Sequence, residues 1–271
     1  MSDPVLAALY YVLLAGLGLI FGSFTNVVIY RVPNGLSIVR PGSACPGCGT
    51  PISGRDNIPV LSWLILKARC RSCGEPISIR YPLVESATGL LWLVLGWWAL
   101  SGMDGGINPL LPWLLVLGTA GVALAMIDVD HHRLPDSIVL PLYPVLLVGL
   151  VLAGVLSGEW PWLPALVGAA IWAGLIGALW LFSGGRAMGF GDVKLAPILG
   201  ATLGWVGVAS AVVGLFVAFV LGAIVGIGLM VASRAHRRSK VPFGPFLLGG
   251  ALVGLLAGEA IGAAYTAALG L

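Results

Sequence analysis

Charge is scarce in this chain. Asp, Glu, Lys and Arg together make up 9% of it, against about 25% in ordinary soluble domains. With 59% hydrophobic residues and a mean hydropathy of +1.03, a soluble globular fold is excluded. A net charge of +3 gives no ground for nucleic-acid binding, because the basic residues fall where a membrane topology needs them. No basic residue precedes the first apolar run, which follows Asp3. A cleaved signal peptide needs a positive n-region, so this run is expected to be a retained helix with its N-terminus outside. The chain also lacks a glycine-rich dinucleotide fingerprint, a low-complexity tail and, on this reading, any internal repeat.

The little charge there is comes in groups. All fourteen Lys and Arg lie in four stretches: Arg31 to Arg80, Arg133 alone, Arg186 with Lys194, and Arg234 to Lys240. Basic residues collect in cytoplasmic loops, so each stretch is placed on the cytoplasmic side. An even number of crossings must then separate them, each needing about 20 mostly apolar residues. The spans fall near 5–25, 83–101, 110–128, 137–157, 163–183, 195–210, 211–232 and 244–269. The pair 195–210 and 211–232 is one long apolar stretch, divided because the basic groups on both sides must face the cytoplasm. Gly204 and Gly207 are the candidate turn points. The outer connections carry Asp104 and Glu159, with Trp97, Trp98, Trp113, Trp160, Trp162 and Trp205 near them, half of an interfacial aromatic belt. Forty glycines, mostly inside apolar runs, suit close helix packing. The expected fold is an all-α integral membrane protein with about eight transmembrane helices. Its parts are a first helix (1–31), a small cytoplasmic four-cysteine domain (32–80) and a polytopic membrane domain (81–271).

The only four cysteines form two pairs, Cys45-Pro-Gly-Cys48 and Cys70-Arg-Ser-Cys73, each followed by glycine. A CxxC turn aims two thiolates at one ion, and two such turns separated by 21 residues fit a four-thiolate zinc site. Two disulfides or a redox pair would use the same residues. A reducing cytoplasmic face argues against the first, and no thioredoxin-like βαβ pattern supports the second. About fifty residues between 32 and 80 make a marginal core without such a staple.

Two acids stand at span ends. Asp128 opens Asp-Val-Asp-His-His-Arg-Leu-Pro-Asp136 at the end of the third span, and Asp192 closes Gly189-Phe-Gly-Asp192 just before the sixth. Both belong at the same membrane depth. Two carboxyls in contact cannot both ionise, so one keeps its proton while the other activates water. The same residues also read as solvated interfacial charge. Asp130 and Asp136 fit that reading better, and Asp136 is placed to cap the helix after Pro135. His131 and His132 read as loop residues. Glu85 opens the second span, and Glu259 lies well inside the eighth, where an acid marks either function or a hydrogen bond to a neighbouring helix.

These motifs together resemble the type IV prepilin leader peptidases, bacterial membrane aspartic proteases of the GxGD kind. The resemblance covers nearly the whole chain. It rests on Gly22-Ser-Phe-Thr-Asn-Val-Val-Ile-Tyr-Arg31, the two CxxC pairs, Asp128 through Leu-Pro-Asp136, and Gly189-Phe-Gly-Asp-Val-Lys194. It implies an enzyme of the bacterial inner membrane with Asp128 and Asp192 as its catalytic dyad. Its substrates would be prepilins or pseudopilins, cut at the cytoplasmic face after the basic leader. It also implies N-methylation of the new N-terminal residue with S-adenosylmethionine as donor. Asn26, Arg31 and Glu85 are the polar candidates for donor binding. Zinc on Cys45, Cys48, Cys70 and Cys73 would be structural.

Three other readings use the same features. A peptidase without methyl transfer keeps the dyad alone. An ion-coupled transporter would use membrane acids, although only Glu259 lies deep in a span and no repeated interrupted helices accompany it. A scaffold recruiting partners through the cysteine domain leaves the Gly-Phe-Gly-Asp turn without a purpose.

Overall fold

The computed structural model describes residues 3–101, 106–186, 188–232 and 241–270. Their regular secondary structure is helical, with no strand among the described residues; most of 32–60 and 66–79 is turns and irregular backbone. In chain order the helices are α1 (Pro4–Arg31), the short α2 (Leu61–Ile65), α3 (Arg80–Ser101), α4 (Leu111–His131), α5 (Asp136–Ser157), α6 (Trp162–Ser183), α7 (Phe190–Val206), α8 (Val208–Val231) and α9 (Gly244–Ala268). Seven are long and apolar enough to cross a membrane. The remaining long helix, α7, has 17 residues, at the lower limit of a span. The basic group from Arg234 to Lys240 and the acid Asp104 lie outside the described residues.

The long apolar stretch after 190 breaks at Gly207, between α7 and α8. Gly204 stays helical. A Cβ at Gly207 would run into the carboxylate of Glu259 on α9. That carboxylate accepts the Ser210 N–H at 3.0 Å, in the third position of α8. The acid inside the last span therefore caps a neighbouring helix, satisfying a donor that hydrocarbon would leave unpaired. A cap of this kind contributes about 1 kcal/mol.

Two further details depart from expectation. Asp192 lies within the first turn of α7, not ahead of the helix, because the glycine-flanked segment from Phe190 is already helical. Asp136 opens α5 but makes no capping hydrogen bond there; its carboxylate is engaged elsewhere.

The chain forms two compact units, Met1–Ala123 and Leu124–Leu271. In the first, α1 lies against α3 so closely that a Cβ at Gly22 would sit 2.7 Å from the Glu85 Cα. Phe21 stacks on Trp92 at 5.1 Å, and the Trp92 indole N–H donates to Thr119 Oγ1 at 3.0 Å. In the second, small residues again set the spacing. Gly168 of α6 meets Gly200 and Gly204 of α7, and Gly214 of α8 meets Gly250 and Gly254 of α9. Without a hydrophobic drive between helices in lipid, such backbone contact is what holds them. Trp172 is fully buried, its N–H spent on the Ala211 carbonyl at 2.9 Å.

Candidate active site and cysteine cluster

The cysteine segment contains a repeat that the sequence reading lacked. Cys45-Pro-Gly-Cys-Gly-Thr-Pro-Ile52 and Cys70-Arg-Ser-Cys-Gly-Glu-Pro-Ile77 share the pattern CxxCGxPI, and their backbones match bond for bond. The Cys45 N–H donates to the Thr50 carbonyl and the Gly49 N–H to the Cys45 carbonyl; the Cys70 N–H donates to Glu75 and the Gly74 N–H to Cys70. Ile52 N–H to the Ser43 carbonyl is repeated as Ile77 N–H to that of Ala68. Gly49 and Gly74 have φ of 69° and 75°, where a side chain would strain the turn.

The result is one cluster. All four Sγ atoms lie within 4.8 Å of one another, with Cys45 and Cys73 at 3.7 Å and no disulfide between them. Zinc–sulfur bonds of about 2.3 Å in a tetrahedron place sulfurs about 3.8 Å apart, so the residues fit the metal. Side-chain and backbone contacts to Thr50 hold the Cys48 thiol down to about 6. Cys73 is pushed up to about 12: the Glu75 N–H favours its thiolate, but desolvation and the three neighbouring sulfurs outweigh it. Asp56 anchors the second knuckle through an ion pair with Arg71 at 2.7 Å.

The second unit brings two acids together. Leu124 and Asp128 lie four residues apart on the buried face of α4, with exposures of 0% and 5%; Asp192 is 6% exposed. Asp130, two residues past Asp128, turns outward and is exposed, as helical geometry requires. Asp128 Oδ2 accepts the Gly244 N–H at 2.9 Å, at the first residue of α9. Asp192 sits in the first turn of α7, and its Oδ2 accepts the Gly189 N–H at 3.1 Å. Each acid therefore rests on a helix N-terminus, where exposed N–H groups and the helix dipole favour negative charge. The two carboxyls are close enough for the charge on Asp128 to act on Asp192. Asp192 Oδ1 is buried and has no hydrogen-bond partner among the described residues.

Leu134 packs between the two helix starts. A Cβ at Gly191 would lie 2.8 Å from the Leu134 Cβ, and one at Gly244 would lie 3.2 Å from its Cδ2 and 2.9 Å from Asp128 Oδ2. A side chain at either position would force these neighbours to shift. A second tie runs outside the first: Lys194 Nζ reaches both Asp136 oxygens at 2.7 Å and lies 4.8 Å from the Phe190 ring centroid. The Tyr143 hydroxyl donates to the Lys194 carbonyl at 2.7 Å. The segment after Asp128 is thus fastened to the helix that carries Asp192.

The chain matches two family models: the bacterial peptidase A24 N-terminal domain over residues 17–99 and the type IV leader peptidase family over 114–227. It is 38% identical to the prepilin leader peptidase/N-methyltransferase of Aeromonas salmonicida, across 93% of this chain and 92% of that protein. The chain belongs to the type IV leader peptidase family. The protein of the same name from Myxococcus xanthus is 45% identical over 86% of this chain and 67% of its own length. That from Pseudomonas aeruginosa is 35% identical over 97% and 95%. No solved structure matches the chain.

For a leader peptidase of this family, a sequence reading picks out the acids but misses their supports. Gly244 lies 116 positions from Asp128; its only advance sign is the Pro242-Phe-Gly-Pro245 punctuation that opens α9. In the first unit, Asn26, Arg31 and Glu85 are engaged with backbone. Asn26 donates to the Tyr81 carbonyl at 3.1 Å, and Arg31 to the Ser37 carbonyl at 2.9 Å. Glu85, 7% exposed, accepts the Val60 N–H at 2.7 Å.

Proposed function

We infer that this chain is a membrane aspartic endopeptidase that removes the leader from type IV prepilins or pseudopilins and N-methylates the residue it exposes. The observation that carries the reading is the pairing of two buried carboxylates at helix N-termini, in the region that matches the leader peptidase family. Asp128 and Asp192 are the proposed dyad. One takes a proton from the attacking water, and the other, protonated, donates to the scissile carbonyl as it gains charge. The proton held after attack passes to the departing amine. No covalent enzyme intermediate forms. Because each acid is fixed through Oδ2 by a backbone N–H, its other oxygen is left for substrate and water.

Asp130 and Asp136 are assigned no catalytic step; one is exposed and the other pairs with Lys194. Zinc would be held by Cys45, Cys48, Cys70 and Cys73. Four thiolates leave the metal no open position, so it would cross-link the knuckles and take no part in hydrolysis. S-adenosylmethionine supplies the methyl group, with Arg31, Asn26 and Glu85 as polar groups at its proposed end of the first unit. Functionally, the chain divides into helix 1–31, cysteine domain 32–80 and peptidase domain 81–271. The positive-inside rule supports a cytoplasmic active face and residence in the bacterial inner membrane; no nucleic-acid partner is assigned.

Purified protein incubated with a prepilin and S-adenosylmethionine should yield a product lacking the leader and carrying an added methyl group by mass spectrometry. An uncut prepilin would overturn the reading. A cut but unmethylated product would restrict it to the peptidase.

A further inference from the structure

The Gly22 to Arg31 motif is not used by the aspartate site, and the structure gives it another role. A cleft of about 300 Å³ lies beside the second half of α1, with Ser23, Phe24, Val27, Arg31, Val39 and Asn57 among its lining residues. That volume is at the small end of ligand sites. Three side chains make the polar contacts that build its walls. Arg31 gathers the 37–42 segment by donating to the Ser37 carbonyl at 2.9 Å and the Gly42 carbonyl at 3.5 Å. The buried Glu85 of α3 holds the 57–60 segment through the Val60 N–H. Ser23, which faces the cleft, is hydrogen-bonded to that same Glu85.

Val60, next to the lining residue Pro59, is strained. Its φ is 61° and ψ −49°, a region that a β-branched side chain rarely adopts. Such strain persists only where the surroundings over-determine it, and it collects at ligand clamps. Here the clamp is a buried carboxylate from another helix. A loop that merely connected two helices would need neither.

We propose that this cleft holds the methyl donor, S-adenosylmethionine; the proposal rests on the methyltransferase reading above. The lining suits a ligand of mixed chemistry. Phe24 and Val27 offer an aromatic and an apolar face for a purine. Asn57 and Ser43 can hydrogen-bond its edge or the ribose. Among the described residues of the lining, the Arg31 guanidinium is the one cation, and it matches the amino-acid carboxylate. The Ser23 hydroxyl, backed by Glu85, presents negative character toward a sulfonium. Arg31 of α1 and Glu85 of α3 also position the walls, and Asn26 ties α1 to α3 through the Tyr81 carbonyl.

The test uses full-length protein in nanodiscs. Binding of isotopically labelled S-adenosylmethionine is measured by equilibrium dialysis, alongside zinc content and leader cleavage. Val27→Trp, which fills the cleft, should weaken donor binding at least tenfold while zinc and cleavage stay at wild-type levels. A wild-type Kd in that variant would overturn the assignment. As a check independent of any variant, a photoreactive azidoadenosyl donor analogue should label wild-type protein within residues 20–43 or 57–60. Label confined elsewhere would overturn it equally. If Val27→Trp instead sheds a co-purified anionic phospholipid and leaves donor binding unchanged, the cleft is a lipid site and the proposal fails. If wild-type protein neither binds the donor nor methylates a leader-free pilin peptide, the methyltransferase reading itself falls. Methylation by the wild type with unaltered binding in the variant sinks the site alone.

Discussion

The Gly244 N–H donates to Asp128 Oδ2 at 2.9 Å, joining the first residue of the last helix to an acid on the fourth. A methyl group at Gly244 would lie 2.9 Å from that oxygen and 3.2 Å from Leu134. Gly244→Ala should therefore displace the carboxylate while leaving it chemically intact. A shift of about 1 Å at a reacting group costs on the order of a hundredfold in rate. Steady-state cleavage of a prepilin should show kcat lowered at least tenfold with the protein still folded; an unchanged kcat would refute this role.

Asp128→Asn and Asp192→Asn should each abolish leader cleavage, because a carboxamide neither ionises nor exchanges the shared proton. Asp130→Asn should cleave at nearly the wild-type rate, since that side chain turns outward from α4. Product mass after incubation with substrate separates the three. Substantial cleavage by either dyad variant would end the assignment.

Lys194 acts by position. Its ammonium bridges Asp136 and the face of Phe190, fastening the two segments that carry the acids. Lys194→Met should lower cleavage about tenfold, with Lys194→Arg recovering part of it, because arginine keeps the charge but changes the geometry. The loss should appear in kcat more than KM. A variant that merely melts earlier and cuts normally when cold would mean the tie serves stability alone.

For the cysteine cluster, Cys45→Ser or Cys73→Ser should lower zinc from about one ion per chain and speed proteolysis between residues 49 and 69. Cys73, pushed up to about 12, keeps its proton at neutral pH without metal, whereas Cys48, held at about 6, has largely lost its own. Zinc uptake by stripped protein must then release protons at pH 7. Affinity should fall with pH throughout this range, because Cys73 must give up its proton, and more steeply below 6, where Cys48 is protonated too. Calorimetry in buffers of different ionisation enthalpy reads both effects, and binding without proton release would contradict the thiolate set.

Glu259→Ala should cost about 1 kcal/mol of stability through the lost cap on α8, and Glu259→Gln less, since an amide oxygen still accepts from Ser210. Leader cleavage at low temperature should survive both. Abolished cleavage in a folded Glu259→Gln protein would give that acid a chemical role instead.

Hydropathy and charge grouping made most of this architecture legible, because a bilayer permits few alternatives to a run of about 20 apolar residues. Asp128 and Asp192 were also legible, since polar residues stand out in an apolar chain and their glycine context is unusual. What held them was not. The contacts from Gly244 to Asp128 and from Glu259 to Ser210 join helices distant in sequence, and their donors are backbone groups that every residue possesses. Asp136 illustrates the same limit: its place after Pro135 suggests a local cap, yet it is drawn to a lysine 58 positions away. The CxxCGxPI repeat was within reach of the sequence; it shows only when the pattern is followed past the glycine to the proline and isoleucine.

Glu259 and Gly244 belong to the same helix, and that has a consequence for how the enzyme comes into being. Both acids of the dyad are translated before residue 193, and the last helix begins about fifty residues later. Until α9 enters the membrane, Asp128 lacks the N–H that orients it and α8 lacks its cap. A ribosome-bound chain stalled before Gly244 would carry every proposed catalytic residue without the contact that holds Asp128 in place. On this geometry the proposed dyad is fully supported only after the final insertion event, so cutting by an incomplete chain is expected to be slowed while it is being assembled.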